Sequence, residues 1–152
     1  MLPIMPDPLV RPARPEELAS CAALISGMPL FEPYGLTPAR LLHSLSATMD
    51  LVLVALTGEE VCGFAWVAEQ GAFARDFYVR LLVGPGVGGL LMDAVEARAG
   101  GDVFLLVNSG NSGARRFYER RGYVVVGQLD SYVAPGVDEL LMRRTPSPVV
   151  RP

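Results

Sequence analysis

Apolar residues along this chain follow two rhythms. After a short apolar segment, Leu9–Pro12, the residues Leu18, Cys21, Ala22 and Ile25 recur at three- and four-residue intervals, the spacing of one helix face. Pro15 suits the first turn of that helix, and Glu16 and Glu17 favour its positive end. Gly27 and Pro29 stop it, and a linker, PLFEPYG, leads to Thr37-Pro38, an N-cap followed by proline at the first helical position. Leu41, Leu42, Leu45 and Met49 supply the apolar face of this second helix. The rhythm then changes. Leu51–Leu56 is an unbroken apolar run of strand length, and TGEE reads as a hairpin connection to a second strand, Val61–Ala68. Gly71 marks a turn before a third strand, Ala72–Val83, with Phe77, Val79 and Leu81 on one face.

A glycine-rich turn, Gly84–Gly89 (GPGVGG), precedes Leu90, Leu91, Ala94, Val95 and Ala97, which oppose Asp93, Glu96 and Arg98 on an amphipathic helix stopped by Gly100-Gly101. Val103–Val107 is a fully apolar strand, Ala114–Arg121 a short basic helix with Gly122 at its C-cap, and Tyr123–Val126 and Glu139–Met142 are the last two strands. The order β–α–α–β–β–β–α–β–α–β–β predicts an α/β (α+β) fold: a mixed, mostly antiparallel central sheet flanked by about four helices.

Composition narrows the reading. At 152 residues the chain suits one domain, and 51% hydrophobic against 19% charged residues fills a core and excludes a disordered chain. The domain is placed at residues 9–144, with a proline-rich leader (1–8) and tail (145–152) outside it. A net charge of −3 gives no electrostatic footprint for nucleic acid, and all thirteen basic residues are Arg. Two cysteines, Cys21 and Cys62, and a single histidine, His43, lack metal-ligand spacing, so no metal is expected and the thiols are expected buried and free. The prolines of MLPIMPDPLVRPARP interrupt any signal-peptide core, and no run approaches the ~20 apolar residues of a membrane span. A cytoplasmic protein with no membrane association is the expectation.

The strand–glycine turn–helix from Tyr78 to Ala99 carries candidate chemistry. Glycines let the backbone approach a ligand closely, and the open N–H groups at a helix start hold anions with help from the helix dipole. A nucleotide-phosphate loop of the GxxxxGK[ST] type is excluded, because the chain has no Lys. Gly84, Gly86 and Gly89 do spell GxGxxG, yet a dinucleotide-binding fold opens with that motif, and here it lies mid-chain behind an antiparallel-looking block.

Downstream, VNSGNSGARRFYERRGY sets an Asn, small residues, an aromatic pair and a Gly behind a buried strand. With the glycine turn, this makes the last two-thirds of the chain resemble the GNAT superfamily of acyl-CoA-dependent N-acyltransferases. Asn111, Ala114, Phe117, Tyr118, Gly122 and Tyr123 match its NxxAxxFYxxxGF block, and GQLDSYVAPGVDELLMRR resembles its final hairpin. The [QR]xxGx[GA] turn matches less closely: Val83 stands where Gln or Arg is usual, and Pro85 where a basic residue is usual.

The resemblance implies a single GNAT-like domain and acetyl-CoA as cosubstrate. It implies cofactor-binding residues Leu82, Val83, Gly84, Gly86, Val87, Gly88, Gly89, Asn111, Ala114 and Phe117. Strand Tyr78–Val83 is expected to splay from Val103–Val107, with the backbone N–H of Leu82 or Val83 facing the thioester oxygen. Tyr118 is the implied general acid; a phenol, with an ordinary pKa of about 10, is protonated at neutral pH. Glu32, Glu69 and Asp76 are candidate bases, with action through an ordered water as the equal alternative, and Trp66, Phe73, Phe77 and Tyr34 are candidate acceptor contacts. One of Arg115, Arg116, Arg120 and Arg121 is a candidate for the 3′-phosphate of CoA, and Asp130 and Tyr132, in the loop expected before the last strand, are candidate contacts for the acceptor or a second subunit. The expected activity is N-acetylation of a primary amine on a small molecule or peptide. The alternative is a non-catalytic GNAT-fold module that binds CoA or another ligand, or a dimerising scaffold. A homodimer is the expected assembly.

Overall fold

The computed structural model describes residues 6–146; most of the leader 1–8 and of the tail 145–152 lies outside the described residues. The apolar runs become seven strands: β1 (Leu9–Pro12), β2 (Leu51–Thr57), β3 (Glu60–Ala72), β4 (Asp76–Val83), β5 (Val103–Asn108), β6 (Val124–Ala134) and β7 (Val137–Arg144). The helical-period stretches become α1 (Leu18–Ala23), α2 (Pro38–Ala47), α3 (Gly88–Ala99) and α4 (Ser112–Arg120), with 3-10 helices at Pro15–Glu17 and Pro29–Tyr34. The strand order is β1-β2-β3-β4-β5-β7-β6. Pairing is antiparallel for β1–β2, β2–β3, β5–β7 and β6–β7, and parallel for β4–β5. The predicted class, a mixed and mostly antiparallel sheet with four α-helices, is the one observed.

Several boundaries differ from expectation. The linker PLFEPYG is not irregular: it coils into the second 3-10 helix and ends at Gly35, whose φ of 62° suits glycine. Gly71 is not a turn but an interior residue of β3, because a Cβ there would lie 2.5 Å from Ala68 Cβ and 2.9 Å from Tyr78 Cβ. The turn comes later, at Phe73–Arg75, so β4 starts at Asp76 rather than Ala72. Likewise β6 runs on to Ala134 and absorbs Asp130 and Tyr132, expected in a loop; a register shift between Leu129 and Ala134, with Ser131 at φ 47°, lets the strand continue past the irregularity.

The chain divides into two compact units. Among the described residues, one comprises residues 6–67 with Arg80–Ala97; the other comprises Ala68–Val79 and residues 98–146. In the first, Cys21 and Ile25 near α1 and Leu41 and Leu45 of α2 are buried against Val52, Val54 and Phe64 of the sheet. Thr37 caps α2 as predicted, its hydroxyl accepting from Arg40 N at 3.2 Å. Both cysteines are free. Cys21 is fully buried, and desolvation with a nearby Glu17 charge pushes its thiol up to about 11.

Glu17 ties β1 to the first helical turn. Its carboxylate accepts both terminal nitrogens of Arg11 at 2.7 Å and the backbone N–H of Arg14 at 2.7 Å. The Arg11 hydrogen bonds first, and the Arg14 amide second, hold this carboxyl down at about 2, against an ordinary 4.5. The stabilisation is therefore complete above about pH 4.5 and lost as pH falls through about 2. Glu17→Gln lowers the melting temperature at pH 7, and the gap to the parent chain closes between pH 4.5 and 2. A gap of equal size at pH 7 and pH 2 in a thermal-melt series refutes this origin.

In the second unit, β5 pairs with β7 from Val103↔Arg144 to Asn108↔Glu139. Alternate residues on one face, among them Leu105, Val107, Leu140 and Met142, are buried. On the other face Phe104 meets Phe73 edge-on at 5.6 Å. The Phe73–Arg75 turn is closed by Arg75 N donating to Ala72 O at 3.1 Å, and both its central residues, Phe73 (φ 56°) and Ala74 (φ 55°), are left-handed without being Gly or Asn. A left-handed L-residue costs roughly 1–2 kcal/mol. Ala74→Gly accordingly raises stability by about 1 kcal/mol in denaturant unfolding. A loss of stability in that variant overturns the assignment of strain.

Candidate functional site

In the first unit, β4 passes through the glycine turn into α3. Gly84 O accepts from Val87 N and Gly88 N, both at 3.1 Å, and Leu91 N donates to Val87 O at 3.0 Å, so Val87 opens the helix. Among the described residues, no carbonyl or side chain takes the amides of Gly86, Gly89 or Leu90. Three backbone donors therefore remain open at the positive end of a twelve-residue helix with no acidic side chain in its first turn. Pro85 adds no donor. This arrangement suits an anion carrying several oxygens, such as a pyrophosphate.

The glycines of this region serve different physical ends. Gly86 has φ 78° and open space around its missing Cβ, so glycine is there for the backbone angle. Gly84 is there for room: a Cβ would lie 2.6 Å from Val87 Cγ2. The same holds for Gly63 on β3, which belongs to no motif. A Cβ on Gly63 would lie 2.6 Å from Val87 Cγ2, 2.8 Å from Val83 O and 3.0 Å from Gly84 Cα. The turn is thus seated directly on the backbone of β3. The signal in the sequence was a glycine inside a strand, which often marks close approach of another backbone.

Val83 and Val87 are buried, and Leu82, Gly84, Gly88 and Gly89 are half-buried. The parallel register of β4 with β5 is described over Phe77↔Val103, Tyr78↔Phe104 and Val79↔Leu105, and stops there. Past this register Arg80 is exposed and Leu81 half-buried. The Arg80 guanidinium lies over the Trp66 ring at 5.8 Å, while its neighbour Leu81 packs on the apolar cluster that Trp66 also adjoins. Asp50, just before β2, joins them: its Oδ2 accepts from Trp66 Nε1 at 3.1 Å and from Arg80 Nε at 2.7 Å. Asp50 and Arg80 carried no motif signal, being lone charges about thirty residues apart.

In the second unit, Asn111 caps α4. Its Oδ1 accepts from Ala114 N at 3.1 Å, and no described residue takes its side-chain N–H groups, which stay available to a ligand. Ala114 and Phe117 are half-buried on the same helix. Tyr118 is buried to 8% exposure, with its ring edge-on to Phe117 (5.0 Å) and to Tyr123 (5.4 Å). Of the basic run, Arg115 pairs with Glu119 at 2.7 Å and Arg121 covers Phe117, whereas Arg116 and Arg120 have no partner among the described residues.

The candidate bases are not distinguished by their surroundings. Glu32 is exposed, Glu69 lies 3.8 Å from Arg98 on the surface, and Asp76 lies 3.8 Å from Arg75. Burial instead picks out Glu139 on β7, at 3% exposure and paired in register with Asn108. His43 is exposed on α2, Trp66 and Tyr34 are half-buried, Phe77 is buried and Phe73 is exposed. No group of His, Cys, Asp and Glu suited to a metal occurs among the described residues. No helix among them is long and apolar enough to cross a membrane.

Comparison with known proteins places these features. A family model described as an acetyltransferase (GNAT) domain matches residues 34–145. Among solved structures, Ard1 from Thermoplasma volcanium superposes with a TM-score of 0.72 at 22% identity, covering 91% of this chain and 97% of its own. An acetyltransferase of the GNAT family from Bacillus cereus gives a TM-score of 0.75 at 12% identity, covering 93% and 99%. An aminoglycoside 6′-N-acetyltransferase complexed with coenzyme A gives 0.72 at 16% identity, covering 95% and 99%. These identities establish a shared fold. Among curated proteins, none matches the sequence.

Proposed function

Because the chain belongs to the GNAT acetyltransferase family, we propose that it moves the acetyl group of acetyl-CoA onto a primary amine of a small molecule or peptide. The observation that carries this reading is the set of open amides at Gly86, Gly89 and Leu90 on the positive end of α3, which fits the pyrophosphate of CoA. Acetyl-CoA supplies an activated thioester. The chain's own residues do the rest. The glycine turn holds the pyrophosphate, and Asn111 contributes its free amide N–H groups to the pantetheine arm. The Leu82 or Val83 N–H donates to the thioester oxygen as negative charge develops there. The neutral amine attacks the thioester carbon, the C–S bond breaks as Tyr118 donates its phenolic proton to the departing sulfur, and the proton shed by the acylated nitrogen passes through solvent water to restore the phenol. An aminoglycoside 6′-N-acetyltransferase shares the fold, which supports an amine acceptor without choosing one.

A second reading rests on a specific observation: Val83 is a buried apolar residue and Pro85 lacks an amide, at two positions where the family pattern carries polar contacts. A module that has kept the fold and lost the cosubstrate would look this way. Calorimetric titration with acetyl-CoA separates the two. Micromolar binding, with thermal stabilisation of about 2.7 kcal/mol at a hundredfold excess over Kd, supports the transferase. Absence of binding hands the chain to the second reading.

A further inference from the structure

Asp50, Trp66 and Arg80 form a prepared cationic fork beside the reacting strand, and we propose that it recognises a carboxylate on the acceptor, making this an acetyltransferase for short amino-carboxylates such as amino acids. The inference deepens the transferase reading and rests on it.

Three contacts orient the guanidinium. Its Nε donates to Asp50 Oδ2 at 2.7 Å, its Cζ lies over the Trp66 ring at 5.8 Å, and Trp66 Nε1 donates to that same Asp50 oxygen at 3.1 Å. Asp50 is held in turn by Trp66, so neither partner of the ion pair is free to wander. What remains is the outer edge of the guanidinium. The two terminal nitrogens of Arg80 have no partner among the described residues, and the side chain keeps 44% of its surface open to solvent. Two parallel N–H groups on a planar, always-charged head match the two oxygens of a carboxylate. A surface arginine normally gives up rotamer freedom when it captures an anion; here Asp50 and Trp66 have already restrained it, which favours binding.

Position gives the fork a role in acceptor choice. Arg80 is the residue of β4 immediately past the described pairing with β5. Leu82, a proposed oxyanion donor, is two residues on, about 7 Å along a strand. A carboxylate held at Arg80 is thereby held beside the strand that carries the proposed oxyanion donor, so a compact acceptor spans the gap between them. That reach fits α-, β- and γ-amino acids and excludes long diamines. The charge selects further, since a second ammonium in place of the carboxylate meets the guanidinium unfavourably.

The test uses matched acceptors on the full chain at saturating acetyl-CoA: amino acids, their amides and their decarboxylated amines, with acetylated product measured by mass spectrometry. The expected result is a preference of at least about tenfold in kcat/KM for the carboxylates, carried by KM, as loss of a charge-assisted hydrogen bond implies. Arg80→Gln erases that preference by raising KM for the acids toward that of their decarboxylated amines while leaving acetyl-CoA affinity unchanged, a split that a merely structural role does not produce. Arg80→Lys, which keeps the charge and loses the fork, replaces it where the Gln variant fails to fold. Equal turnover of acids and amides, or a preference that survives the substitution, overturns the proposal and leaves the transferase reading intact. Should no amine be acetylated, the transferase reading falls, and calorimetry with N-acetylated amino acids decides the site. Binding weakened about tenfold by Arg80→Gln upholds the fork; absent or unchanged binding overturns it.

Discussion

Gly63→Ala lowers both stability and acetyl-CoA affinity, although Gly63 belongs to no recognised motif. The added Cβ meets Val87 Cγ2 at 2.6 Å and, more seriously, Val83 O at 2.8 Å. A side-chain methyl swings aside, but a strand carbonyl moves only with the strand. The turn then lifts from β3 or β3 bends, and overpacking of this sort costs about 1–3 kcal/mol. Because the displaced segment runs from the candidate oxyanion donors into the start of α3, affinity for acetyl-CoA falls along with stability, by about tenfold if the anion site loses 1.4 kcal/mol of its binding. Gly101→Ala is the control. Its Cβ would find Asp76 Oδ1 at 3.4 Å, ordinary contact, with no positive φ to strain. Equal melting temperature and equal affinity in the Gly63 variant would show that the turn is not seated as described.

Tyr118→Phe separates packing from chemistry. The ring keeps its edge contacts with Phe117 and Tyr123, so stability changes by no more than about the 1 kcal/mol of one hydrogen bond. Affinity for acetyl-CoA stays the same. If the hydroxyl protonates the leaving sulfur, kcat drops by roughly 10²–10⁴, with KM for the amine little altered. An unchanged kcat in steady-state assays removes Tyr118 from the reaction and leaves it as a core aromatic of the second unit.

Most of the fold was legible because its signals are local and repeated. Thr37-Pro38 announced α2, the run Leu51–Leu56 announced β2, and GPGVGG announced the entry to α3; each is a chemical constraint within a few residues. The shifted boundaries share a different cause. Gly71 reads locally as a turn, and it is a strand residue because Ala68 and Tyr78 crowd it. Phe73 and Ala74 read as strand, yet they make the turn in left-handed conformations that their own side chains disfavour. Tertiary packing overrode propensity at both places. The candidate site is written in the sequence where a motif of contiguous residues carries it, from Asn111 to Tyr118, with roles that rest on the family pattern. It was not legible where it depends on meetings across sequence: Gly63 with Val83, or Asp50 with Arg80, thirty positions apart. A lone charge in a strand carries no mark of the partner that will hold it.

The burial of Cys21 matters at the bench. Transfer of an acetyl group liberates the thiol of CoA, so the simplest assay is a disulfide dye that reports free sulfhydryls. A cysteine with no exposed surface and a thiol pushed up to about 11 stays silent toward such a dye while the chain is folded. The half-buried Cys62, its sulfur 3.3 Å from Ala55 O, is then the one protein sulfhydryl near enough to solvent to contribute a background. A sudden second equivalent of dye uptake during a reaction is therefore a readout of unfolding, and distinguishes a dying enzyme from a working one in the same cuvette.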